Sequence, residues 1–131
     1  MHELPEALHA CCDSVSSLHA IEHFGLGRYG DPLCWDGHVR GLDNLTRLLK
    51  VGGKLYFSVP IGEQRIEFNA HRVFSIQWLL DSFSKNYTVN QFAYIDSRIL
   101  HQNVQLTDDL VRENCGCRYG CGDQTARLNK E

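Results

Sequence analysis

Several things are missing from this sequence of 131 residues, and each absence removes a class of function. No apolar run approaches the length of a membrane-spanning helix. The start, Met1-His2-Glu3-Leu4-Pro5-Glu6, lacks the basic-then-apolar layout of an export signal. A net charge of −3, with Lys and Arg scattered rather than striped, disfavours nucleic acid and membrane surfaces as partners. There are no internal repeats, and the length leaves room for one modest core but not two. Six cysteines are present, but Cys11 and Cys12 adjoin, Cys34 is alone, and Cys115, Cys117 and Cys121 crowd the tail. That distribution reads as reduced thiols in a cytoplasmic compartment rather than a disulfide framework.

What is present alternates strand and helix signals. Asp13 to Leu18 reads as a strand beginning near Cys12, followed by a Gly-rich loop from Phe24 to Gly37. Val39, Leu42, Leu45, Leu48 and Leu49 recur at helical spacing, with Gly52-Gly53 as the expected stop. Lys54 to Gly62 is apolar on both faces, as a strand inside a parallel sheet would be. Ser75 can N-cap a helix whose Ile76, Leu79, Leu80 and Phe83 share a face. Tyr87 to Ile95 is a third strand by its aromatic and β-branched content. Leu106 to Glu113 fits a short helix capped by Thr107, and the polar, glycine-rich remainder reads as loose. The order implies an α/β fold with a mostly parallel sheet.

Two motifs overlap in Ser17–Asp31. His19-Ala20-Ile21-Glu22-His23 spells the H-x-x-E-H of a zinc protease, which needs both His on one long helix. Here a strand runs into the motif and glycines follow it, so polar residues at a strand end are the better reading. Gly25-Leu26-Gly27-Arg28-Tyr29-Gly30 spells G-x-G-x-x-G, but Asp31-Pro32 follows at once and no helix starts inside it. A turned loop fits better than a nucleotide fingerprint. Cys115, Cys117 and Cys121, with His101 as a fourth ligand, have the chemistry for zinc but not the spacing of a common finger.

In order, Asp13, Glu22-His23, Leu49-Lys50-Val51-Gly52-Gly53 and Val59-Pro60 resemble the second half of a class I S-adenosylmethionine-dependent methyltransferase. The segment Asn69 to Phe83 is similar to that family's His-x-x-x-Phe-Ser/Thr stretch and the helix after it. More closely, Ser17–Pro32 and Leu55–Ser75 resemble the methyltransferase-like family called domain of unknown function 268, with a trace at Tyr119-Gly120-Cys121-Gly122. The resemblance implies a partial Rossmann-like methyltransferase domain holding strands four to six, with an open sheet edge. The family's Gly-rich cofactor loop and ribose-binding acidic residue are not among these 131 residues. It therefore implies a truncated C-terminal half: residues 1–12 a remnant, 13–96 the half-domain, and 97–131 a weakly structured, Cys-containing tail.

Under that resemblance Leu18, His19 and Ala20 would lie beside S-adenosylmethionine, and Arg28, Tyr29, Asp31 and Trp35 would line the acceptor pocket. Glu22, His23 and His71 are the candidates for acceptor deprotonation, since a His titrates in the right range. The implied activity is methyl transfer to a small molecule or glycan, weak or lost in this chain. One alternative is a non-catalytic subunit pairing through its open edge with itself or with a complete methyltransferase. The other is a metal-binding module built on His19 and His23 or on the tail cysteines.

Overall fold

The computed structural model describes residues 4–67, 69–96, 98–108, 111 and 122–131. Strand β1 (Cys12–Leu18) leads through a 3-10 turn at Ile21–His23 to helix α1 (Gly37–Leu48). The chain passes directly into β2 (Leu49–Ile61), then a small hairpin of β3 (Arg65–Ile66) and β4 (Arg72–Val73). Helix α2 (Ile76–Phe83) and strands β5 (Tyr87–Asp96), β6 (Ile99–His101) and β7 (Gly122–Lys130) complete the order. Five strands form one sheet in the order β1-β2-β7-β5-β6.

The expected alternation of strand and helix is present, but the sheet is mostly antiparallel rather than mostly parallel. Among the described residues of this sheet, β1 and β2 pair in parallel, whereas β2–β7, β5–β7 and β5–β6 are antiparallel. The cause is β7. It enters between β2 and β5 and runs against both, pairing Leu128 with Leu55 and with Val89. Residues 122–130, expected as part of a loose tail, are thus an interior strand. Their own pattern is polar, and the flanking apolar strands supply both hydrogen-bonding edges.

A second correction concerns α1, which ends at Leu48, before the glycines expected to stop it. Gly52 instead adopts φ +77° within β2, where the β1–β2 register jumps between Cys12–Leu49 and Ser14–Lys54. The glycine pair therefore makes a bulge inside the strand rather than a helix cap. Ser75 caps α2 as its position suggests, its hydroxyl accepting from the Trp78 N–H at 3.1 Å. Of the expected helix at Leu106–Glu113, the described Val111 N–H donates to the Thr107 carbonyl.

Leu55, Phe57, Val59 and Ile61 alternate along β2 and are essentially inaccessible. They join Ile76, Leu79, Phe83, Phe92 and Leu128 in one core, against which Leu42 and Leu45 of α1 pack. Ile21, from the turn after β1, reaches the same core and so fixes where the chain leaves the sheet. Among the described residues no helix is long and apolar enough to cross a membrane.

Candidate functional site

The site begins where β1 ends. The His19 N–H donates to the Ser58 carbonyl at 2.9 Å, continuing the ladder one residue beyond the strand. His19 then takes φ +50°, which turns the chain sharply. Ile21 is driven into the core, and Glu22 is carried inward with it to 1% exposure. A carboxylate there must be paired or pay a heavy desolvation cost. One oxygen, Oε1, lies 3.2 Å from His19 Nδ1 and 3.9 Å from His23 Nε2. The other, Oε2, is buried with no hydrogen-bond partner.

His23 faces two ways. Its Nδ1 is 2.9 Å from the Ala70 carbonyl, which can only accept, so Nδ1 carries the proton. That leaves the lone pair on Nε2, the nitrogen turned toward Glu22. Arg28 donates to the same Ala70 carbonyl at 3.0 Å, and its guanidinium lies 5.5 Å from the centre of the Tyr29 ring. The His23 ring meets Tyr29 edge-on at 5.4 Å and His71 at 6.1 Å. The β3–β4 hairpin supplies Ala70 and His71 to this cluster. Its connection is pinned by the Glu67 N–H donating to the His71 carbonyl at 2.9 Å.

A second cluster lies along the following loop. Gly25 has φ +77°, and a Cβ there would stand 2.0 Å from the Cys34 carbonyl oxygen, so only glycine allows this approach. Asp31 Oδ2 accepts from the Gly25 N–H, whereas Asp31 Oδ1 is buried without a partner. Asp31, Cys34 and Arg40 help to line a cavity of about 220 Å³. The Cys34 thiol, donating at 2.6 Å, and then Arg40 hold Asp36 below the usual carboxylate range. Arg72, 4% exposed, donates to the Phe24 carbonyl, and burial pulls its pKa down. His38 packs against the Phe74 and Trp78 rings; burial first, then Arg72, lowers its pKa to about 4.

The candidate residues therefore divide. Glu22, His23 and His71 come together, with Arg28 and Tyr29 beside them. His19, expected next to a cofactor, contacts Glu22 and belongs to the same cluster; Leu18 and Ala20 flank it. Asp31 serves the neighbouring cavity, and Trp35, 85% exposed, lies outside that cavity's lining. Sequence reasoning did not find the Ala70 carbonyl, Arg72 or His38, because a backbone acceptor and a buried cation leave no pattern in the residues around them. Among the described residues no group of three or more His, Cys, Asp or Glu is arranged to hold a metal ion. His101 stacks on Tyr94 at 4.5 Å, and Cys115, Cys117 and Cys121 lie outside the described residues.

Residues 6–108 match the family model described as "Caenorhabditis protein of unknown function, DUF268". The chain belongs to the DUF268 family. The matched segment holds every residue of both clusters and stops short of β7, so this DUF268 chain carries its candidate site inside the family region. A solved structure described as "Crystal structure of MccD protein" is similar over 94% of this chain, with a TM-score of 0.60 and 11% identity. The chain spans only 62% of that structure's length, and at this identity the likeness shows the fold alone. No curated protein matches the sequence.

Proposed function

We propose that this DUF268 chain is a methyltransferase-like protein in which Glu22, His23 and His71 form the acceptor side of a methyl-transfer site. The acceptor would be a hydroxyl of a small molecule or glycan. One observation supports the reading above the others. The Ala70 carbonyl fixes the proton of His23 on Nδ1, so Nε2 is free to take a second proton. Glu22 Oε1 lies 3.9 Å away and buried, within reach of the ring nitrogen that would receive the acceptor's proton. Arg28 and Tyr29 offer charge and aromatic surface at the rim, as small-molecule pockets do. The α/β fold shared with the solved structure agrees with the methyltransferase motifs of β1, α1 and β2.

S-adenosylmethionine, when bound, supplies the methyl group in class I methyltransferases. Leu18, His19 and Ala20 are the residues of this chain that would lie beside it. They form one exposed wall: Leu18 is 58% exposed and the His19 side chain 41%. The cavity of about 220 Å³ is lined by Phe24 to Arg40 instead. These residues do not make a cradle for the cofactor. Isothermal titration with S-adenosylmethionine is therefore expected to show no binding tighter than about 1 mM. A tight, stoichiometric isotherm would overturn the statement that these residues make no cradle. The acceptor-site reading falls if His23→Ala and the wild-type chain bind a panel of sugars and small alcohols equally.

A second reading, a non-catalytic partner subunit, is favoured by one feature of the sheet. β1 is its outermost strand and pairs only with β2 among the described residues.

A further inference from the structure

Adjacent residues of a regular strand point to opposite faces, so adjacent cysteines there keep their sulfurs apart. Cys11 and Cys12 do not. Their Sγ atoms are 3.4 Å apart on the protein surface, just where β1 begins. Two irregularities bring them together. Ala10 has φ +48°, tied down by its N–H donating to the Arg47 carbonyl at 2.8 Å, and the β1–β2 register breaks immediately after Cys12. Both thiols are free, and neither is part of the His23 cluster or the Asp31 cavity.

We propose that Cys11 and Cys12 form a reversible redox site that low-molecular-weight disulfides of the glutathione type oxidise to a vicinal disulfide. The two sulfurs have distinct parts. Cys11 is exposed and Cys12 only partly so, which makes Cys11 the sulfur a reagent meets first, and the hydrogen bond shared with Cys11 raises the Cys12 thiol above its ordinary range. Lys50 and Asp13, ion-paired at 2.8 Å, lie beside the pair; at Cys12 the Asp13 charge raises the pKa more than the Lys50 charge lowers it. The Cys11 thiolate attacks one sulfur of the reagent disulfide, which breaks and releases one thiolate. A mixed disulfide at Cys11 remains. Cys12 then gives its proton to the released thiolate and attacks the Cys11 sulfur, expelling the second reagent thiolate, which takes from water the proton that Cys11 had given up. Two protein thiols are oxidised, and one reagent disulfide is reduced to two thiols. The new bond joins Cα atoms about 3.8 Å apart across a trans peptide, closer than most disulfides span. Such a strained, exposed bond is of the labile kind that reduced thiols reopen.

The test uses the full chain, reduced and then exposed to oxidised glutathione, with trapping by alkylation and peptide mass mapping. The expected product is a peptide carrying both Cys11 and Cys12, two hydrogens lighter, without a glutathione adduct, and restored by reduced glutathione. Cys12→Ser is expected to accumulate a persistent adduct at Cys11. Cys11→Ser is expected to hold one glutathione at Cys12 and to form no vicinal bond. Cys34→Ser is expected to leave the vicinal bond intact. The inference is overturned if the wild-type chain holds its glutathione adduct as long as Cys12→Ser does. It is equally overturned if either cysteine is found bonded to Cys34 or to a tail cysteine.

Discussion

A buried carboxylate with one oxygen unpaired is a costly residue to keep, because each unmet hydrogen bond in the interior forfeits about 1–3 kcal/mol. Glu22 is such a residue, and its position follows from Ile21: the same turn that seats Ile21 in the core drags the next side chain inward. The sequence made His19, Glu22, His23 and His71 visible as chemistry-bearing types. It did not show that Glu22 would be the most buried of them, or that a carbonyl at Ala70 would orient His23. Those facts depend on where the β3–β4 hairpin folds back, some 47 residues further along the chain. His38 gives a prediction at this scale. Its folded pKa of about 4 lies below the ordinary 6.5 because burial disfavours the charged ring. Above pH 6.5 the ring is neutral in both states and the fold keeps its full stability. As pH falls from 6.5 to about 4, the unfolded chain binds a proton that the folded chain does not. Stability should drop by up to about 3 kcal/mol across that window. Urea midpoints measured at intervals from pH 7 to 4.5 should fall in the wild type, and His38→Phe should flatten the trend. An unchanged slope in that variant would place the pH dependence elsewhere.

At the scale of elements, α1, β2, α2 and β5 were legible because each has an apolar face written in its own residues, and β1 because a short, partly β-branched run is flanked by polar residues. Periodicity located α1 even though it misjudged its end, since Leu49 continues the helical pattern while its backbone already belongs to β2. β7 was not legible. Of Gly122 to Lys130, only Ala126 and Leu128 are apolar, and a strand of that composition owes its existence to its neighbours. The antiparallel character of the sheet came with it, which is why the expected parallel sheet did not survive. Leu128 anchors β7 in the core, with no exposed surface, among Ile76, Leu79, Phe83 and Phe92. Leu128→Ala should therefore cost about 2–5 kcal/mol, as a buried leucine truncation does. Chemical denaturation measures this directly. A loss well under 1 kcal/mol would mean that residues 122–130 contribute little to the fold.

Across the whole molecule, the sheet ends differently on its two sides. β6 is a three-residue strand after a turn, too short to template another chain. β1 is seven residues long, with no lysine or proline among them, and its one charge, Asp13, is already paired with Lys50. It presents a row of backbone donors and acceptors without the usual guards against pairing. We propose a second copy of the chain as the occupant of this edge, because the same strand brought up antiparallel to itself is self-complementary. Mixed serine and valine side chains would then face one another without like charges opposed. Sedimentation velocity across a wide concentration range should show a reversible shift from monomer to dimer. Ser16→Lys, at an exposed position of β1, would set equal charges across the two-fold axis. It should raise the dissociation constant severalfold while leaving the urea midpoint of the monomer unchanged. A chain that sediments strictly as a monomer at every concentration would close the self-pairing route and leave a different subunit as the partner this edge would take.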